Sequence, residues 1–211
     1  PRGRSQPADP ADDGDQRRRD GRVQPQGLRH ASGARVDLRR DVRLRSILLF
    51  KNFGEAAGGT LEHTHSQLIA LPIVPRIIAE ETEGSRKYFD YRERCVYCDI
   101  LAVENETGAR IVLDTDHFTA LCPYAPRFPF ETWIIPKLHN SHAETMTHEQ
   151  IPDLANVIQR VFRKINAALE NPPYNLVLHT APLQDPALPW YHWHIEIIPK
   201  MTHVAGFEWS T

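Results

Sequence analysis

Residues 50–72 read "FKNFGEAAGGTLEHTHSQLIALP". An apolar run leads into a glycine-rich loop, and the loop leads into a segment with two histidines one residue apart. Side chains of a strand alternate between its two faces, so an extended "EHTHSQLIALP" (62–72) places His63, His65 and Gln67 on one face. "ILLFKN" (47–52) supplies a buried strand before it. The same order returns downstream, where "NLVLHTAP" (175–182) is followed by "YHWHIEIIP" (191–199). The chain therefore reads as the end of one half followed by most of a second, similar half.

Between these two units the pattern is mixed. "RIVLDT", "FTALCP" and "ETWIIPK" read as strands, while 76–94 reads as a helix interrupted near Gly84. A longer helix is expected over about 148–170, with apolar residues at Ile151, Leu154, Ile158, Val161, Ile165 and Leu169. Thr147 and Gln150 have capping-box spacing at its start, and Pro152 falls in its first turn. Residues 1–34 are rich in Arg, Asp, Gln, Pro and Gly and show neither period. They are expected to be a disordered or out-of-frame segment. The remaining boundaries fall at 35–82, the C-terminal part of a first half carrying the histidine motif, and at 83–211, the second half.

The formal net charge of the 211 residues is −2, which gives no electrostatic reason to expect nucleic acid or an anionic membrane as partner. No apolar run approaches the roughly 20 residues that span a bilayer. A soluble cytoplasmic protein is the expectation. Of the three cysteines, two stand as Cys95-x-x-Cys98, a spacing that brings two thiolates to one ion. Imidazoles from distant strands, His139 and one histidine of "YHWH", would complete a closed tetrahedral zinc site, with His192 the expected fourth ligand. His142 is an alternative to His139, and Cys122, in an apolar strand, is assigned to packing.

A histidine with a lone pair and a fixed ring orientation can attack phosphorus, and the resulting phosphoramidate passes readily to the next acceptor. The loop "GEAAGG" (54–59) is small enough for its backbone N–H groups to approach a diphosphate. Alternatively, the two histidines are half of a metal site or structural residues of a strand.

The combined spacing Asn52, Gly54, Gly58, Thr60, His63, His65, Gln67 resembles the active-site signature of the galactose-1-phosphate uridylyltransferase family, a branch of the histidine-triad superfamily. "NPPYNLVLHTAP" and "HVAGFEWST" also look like that family's C-terminal half, and the resemblance covers residues 36–211. It departs at Phe53, where histidine is frequent, at Thr60 in place of serine, and at Thr64 in place of proline. The fold it implies is α+β and histidine-triad-like. Two related halves with antiparallel sheets and flanking helices are expected, the first half truncated.

The resemblance implies that His65 is the nucleophile and forms a nucleotidyl-histidine, with Gln67 donating to a nonbridging phosphate oxygen. Asn52, Gly58 and Thr60 would bind nucleotide or phosphate. His63 would be a metal ligand, and Phe207 and Glu208 would bind the hexose. The implied partners are a nucleoside diphosphate sugar and a hexose 1-phosphate, most directly UDP-glucose and galactose 1-phosphate, on a homodimer. Some members instead hold iron through three histidines and a glutamate, which map to His179, His192, His194 and a residue near Glu81. Two rival readings stand beside the transferase. One is a nucleoside diphosphate sugar phosphorylase of the ADP-glucose type. The other is an inactive zinc-stabilised fragment or binding module.

Overall fold

The computed structural model describes residues 38–59 and 65–201. Its first strand, β1 (Ser46–Phe53), is followed by a short 3-10 turn at Glu55–Ala57 and by β2 (His65–Leu71). The turn closes at Gly58, whose φ of +77° is left-handed, a conformation that costs a Cβ-bearing residue and not glycine. β1 and β2 pair antiparallel with Asn52 opposite His65 and Phe50 opposite Gln67.

Helices α1 (Arg76–Arg92) and α2 (Val96–Thr107) come next, then β3 (Ile111–Asp114), β4 (Phe118–Leu121) and β5 (Thr132–Pro136). The chain continues through α3 (Gln150–Leu169), β6 (Tyr174–His179) and β7 (His194–Pro199). The seven strands form one sheet in the order β2-β1-β6-β7-β5-β4-β3, every pairing antiparallel. β1, next to the glycine loop, thus lies against β6 from the far end of the sequence.

Alternation divides the sheet into two chemically different faces. Leu178, Ile195, Ile197, Ile134, Phe118 and Ala120 face α3, whose Leu154, Val157, Ile158, Val161 and Ile165 complete an apolar core. The expected capping box is present. Thr147 N–H donates to Gln150 Oε1 at 2.9 Å, and Gln150 N–H to Thr147 Oγ1 at 3.4 Å. Pro152 fits the first turn because its missing N–H has no intrahelical partner to lose.

The opposite face carries His65, Gln67, Asn52, Asn175, His179, His194 and Glu196, and is covered in part by α1 and α2. Two elements here differ from the sequence expectation. α1 runs unbroken through Gly84, because a single helical glycine costs only about 1 kcal/mol and buried Ile78 and Ser85 flank it. α2 is hidden from an apolar-period search because one of its three inward positions, after Tyr97 and Leu101, is Glu104. That carboxylate is 3% exposed and is held by Arg110, whose Nε donates to Oε1 at 2.8 Å.

Candidate active site and metal centre

His65 opens β2 at the end of the sheet next to the glycine turn. Its Nε2 lies 3.3 Å from Gln67 Nε2, so the two side chains stand together as the period-two spacing requires. With the ring proton on Nδ1, the Gln67 amide donates to the Nε2 lone pair. Asn52 is directly across the strand pair from His65, and Gly58 lies above it, since a Cβ added at Gly58 would come 3.8 Å from Asn52 Nδ2. His65, Gln67, Asn52 and Gly58 are therefore brought together. Thr60, His63, Phe207 and Glu208 lie outside the described residues.

The second constellation sits where α2 begins. Cys95 stands at the helix N-cap and Cys98 follows in its first turn, and the hydrogen bond between the two thiols lowers the pKa of Cys95 and raises that of Cys98. Cys98 Sγ is 3.4 Å from His139 Nδ1 and 3.6 Å from His192 Nδ1. A tetrahedron built from Zn–S bonds of about 2.3 Å and Zn–N bonds of about 2.0 Å has S–N edges of about 3.5 Å. The donor set Cys95, Cys98, His139, His192 therefore fits a tetrahedral zinc ion, with all four ligand atoms within 4.8 Å of one another.

His139 Nε2 lies 3.3 Å from the carbonyl of Leu188, a bond that leaves Nδ1 free of a proton and aimed at the thiols. The hydrogen bond with Cys98 holds Cys95 well below the usual thiol range against the opposing effect of burial. The bond to Cys95 raises His139, while burial lowers His192. His142 is not in this set. It is buried nearby with Nδ1 2.8 Å from Ser141 Oγ.

A third group lies on the same face of the sheet. Glu81 of α1, His179 of β6, and His194 and Glu196 of β7 bring their ligand atoms within 4.8 Å of one another. His192, the remaining histidine of the iron set that the resemblance suggests, faces Cys98 instead. Glu196 stands in its place and is already engaged by the Arg127 guanidinium and by His179 Nε2 at 3.3 Å. The set of three histidines and one glutamate is thus not assembled.

What is assembled is a buried charge network. His179 Nδ1 meets Glu81 Oε2 at 2.9 Å, so both ring nitrogens face carboxylates. Burial alone would depress the His179 pKa, but the bonds to Glu196 and Glu81 outweigh it and push it up to about 9. Glu196 is held below the ordinary carboxylate range, because its bonds to His179 and His194 overcome burial. Tyr191 O–H adds a bond to Glu81 at 3.2 Å. Buried Glu131 fixes the loop that delivers Arg127, accepting from the Arg127 N–H at 2.8 Å and from Trp133 Nε1 at 2.8 Å.

Glu196, Arg127, Glu131 and Asn175 were not legible as site residues in the sequence. Glu196 is the one with a local signal, since it continues the alternation His192, His194, Glu196 along β7.

An antiparallel α+β sheet of this order, with a strand-borne His/Gln pair and a Cys/His metal set, defines a histidine-triad-like protein. The chain belongs to the galactose-1-phosphate uridyl transferase family, whose C-terminal domain matches residues 81–204. Residues 25–74 match the N-terminal domain of a family known as DUF4931.

The chain is 36% identical to ADP-glucose phosphorylase of Arabidopsis thaliana over 78% of this chain and 46% of that one. It is 31% identical to galactose-1-phosphate uridylyltransferase of Thermotoga maritima over 82% of this chain and 56% of that one. It thus spans about half the length of the curated relatives it matches. Among solved structures, Arabidopsis thaliana ADP-glucose phosphorylase with bound ADP-glucose superimposes with a TM-score of 0.82 at 32% identity, over 89% of this chain and 60% of that one. A uridylyltransferase structure gives a TM-score of 0.83 at 29% identity, over the same shares.

Proposed function

We propose that the protein is a nucleotidyltransferase that carries a nucleoside monophosphate on His65. The observation that supports it is the juxtaposition of His65 and Gln67 at 3.3 Å, with Asn52 across the strand pair and a glycine turn above. The ring nitrogen of His65 attacks the α-phosphorus of a nucleoside diphosphate hexose. An N–P bond forms, the bond from that phosphorus to the bridging oxygen breaks, and hexose 1-phosphate leaves with the electron pair. Gln67 and Asn52 N–H groups offset the charge that grows on the nonbridging oxygens. An acceptor oxygen then takes the nucleotide and frees His65.

With UDP-glucose as donor and galactose 1-phosphate as acceptor, this is uridylyl exchange. A second reading is favoured by the relative at 36% identity, an ADP-glucose phosphorylase. In that reading inorganic phosphate is the acceptor and ADP the product. Zinc at Cys95, Cys98, His139 and His192 would fix the start of α2 against the loop that carries Leu188, a structural role. A homodimer in the cytoplasm completes the proposal. Among the described residues no helix is long and apolar enough to cross a membrane.

The test is incubation with UDP-glucose or ADP-glucose labelled in the α-phosphate, followed by denaturation. The expected result is an acid-labile, base-stable label on the wild type that His65→Ala lacks. Discharge by galactose 1-phosphate selects the transferase, and discharge by inorganic phosphate selects the phosphorylase. A folded, metal-loaded chain that takes no label from either donor would point to the binding module or inactive fragment.

A further inference from the structure

Asn175 lies in β6 directly opposite Asn52, so that His65, Asn52 and Asn175 form a row across three strands. Its Nδ2 is 2.8 Å from Asn52 Oδ1 and 2.8 Å from the carbonyl oxygen of Ala57. The Ala57 carbonyl can only accept, so the atom of Asn175 that faces it must be the NH2 group. The Asn52 atom bonded to that same NH2 must then be the carbonyl oxygen. One backbone carbonyl therefore fixes the orientation of two side-chain amides in succession.

The consequence is chemical. With its oxygen committed to Asn175, Asn52 turns its own NH2 toward the space beneath Gly58, beside His65. Among the described residues that NH2 has no protein partner. Both hydrogens of the Asn175 amide are used, one on the strand tip and one on the 3-10 turn.

We propose that Asn175 is a positioning residue that holds Asn52 as a hydrogen-bond donor toward the phosphate of a nucleotide on His65. This rests on the nucleotidyl-transfer reading above. A donor fixed in advance costs no reorganisation when charge develops, whereas an amide free to rotate can present its oxygen to the phosphate.

The test uses Asn175→Asp, nearly the same shape but accepting only. Its carboxylate would draw the Asn52 NH2 toward β6 and leave the Asn52 oxygen facing the ligand. The rate of label transfer to His65 at saturating nucleotide sugar, per folded molecule, is expected to fall roughly 10- to 100-fold. Asn52→Ala should fall by a similar factor, and the double variant Asn52→Ala with Asn175→Asp should be no slower than Asn52→Ala alone. That non-additivity is the readout a merely structural role would not produce, because loss of packing would lower the melting temperature and leave the labelling rate of the folded fraction unchanged. Labelling at the wild-type rate in Asn175→Asp, or losses that multiply in the double variant, would overturn the inference while leaving the transfer reading intact. Absence of label on the wild type would instead overturn the transfer reading and this inference with it.

Discussion

Gln67 differs from a histidine in one respect that matters to its neighbour: it can donate to the phosphate but cannot take up and deliver a proton. At 3.3 Å from His65 Nε2 it shapes the surroundings of the proposed nucleophile without adding charge. Gln67→Glu should therefore be more damaging than its size suggests, since the carboxylate repels the incoming phosphate and offers no donor. We expect labelling of His65 to fall about 100- to 1,000-fold, the scale of losing one donor to a transition-state oxygen, with the melting temperature little changed. An equal drop in Gln67→Ala and Gln67→Glu would argue against the repulsive component. At this scale the sequence was informative wherever a local period sufficed. His65 and Gln67 share a face because strands alternate, and Cys95 and Cys98 share an ion-sized space because one helical turn separates them. Asn175 was invisible because its partner Asn52 is 123 positions away, and only the β1–β6 pairing brings the two together.

The elements show the same divide between local and tertiary control. Gly84 suggested a break in α1, yet the helix passes through it, and a Cβ added there would meet nothing within 4 Å. Gly84→Ala should thus stabilise the protein by about 0.5–1 kcal/mol, by lowering unfolded-chain entropy and improving helix propensity. Gly58→Ala has the opposite expectation. At φ +77° an alanine is strained by about 1 kcal/mol or more, and the strained turn lies over the site. Chemical denaturation of both variants checks the pair, and the same sign for the two would contradict the backbone argument. α2 was illegible because burying Glu104 requires Arg110, whose approach is a tertiary fact. Its start carries two of the four donors of the Cys/His set. If that set holds zinc as proposed, Cys98→Ala should abolish its stoichiometric binding and cost several kcal/mol, read as a lower denaturation midpoint together with lost metal in elemental analysis. Retained zinc in that variant would place the ion elsewhere.

Across the whole molecule, Arg127, Glu196, His179 and Glu81 join the loop after β4, strands β6 and β7, and helix α1 through one buried network. The groups facing His179 are Glu81 from α1, Glu196 and His194 from β7, with Tyr191 bonded to Glu81 from the loop before β7. Two positive and two negative groups balance, so the network needs no further counter-charge at neutral pH. Its pH dependence has a definite sign. The His179 pKa is raised from 6.5 to about 9, so its contribution is fully present below about 6.5 and is lost as pH rises through 9. Glu81 and Glu196 are lowered, so theirs is present above the ordinary carboxylate range and is lost on acidification. Stability from the network is therefore greatest on the slightly acid side of neutrality. A rise from 6.5 to about 9 corresponds to about 3 kcal/mol, an amount that a single domain registers as a shift of several degrees. The measurement is the melting temperature of zinc-saturated wild type and of Glu196→Gln between pH 6 and pH 10. The gap between the two should be widest near pH 6 and narrow steadily toward pH 10, as His179 loses its proton in the wild type. A gap that stays constant across this range would mean that Glu196 acts through Arg127 alone and that His179 is neutral throughout.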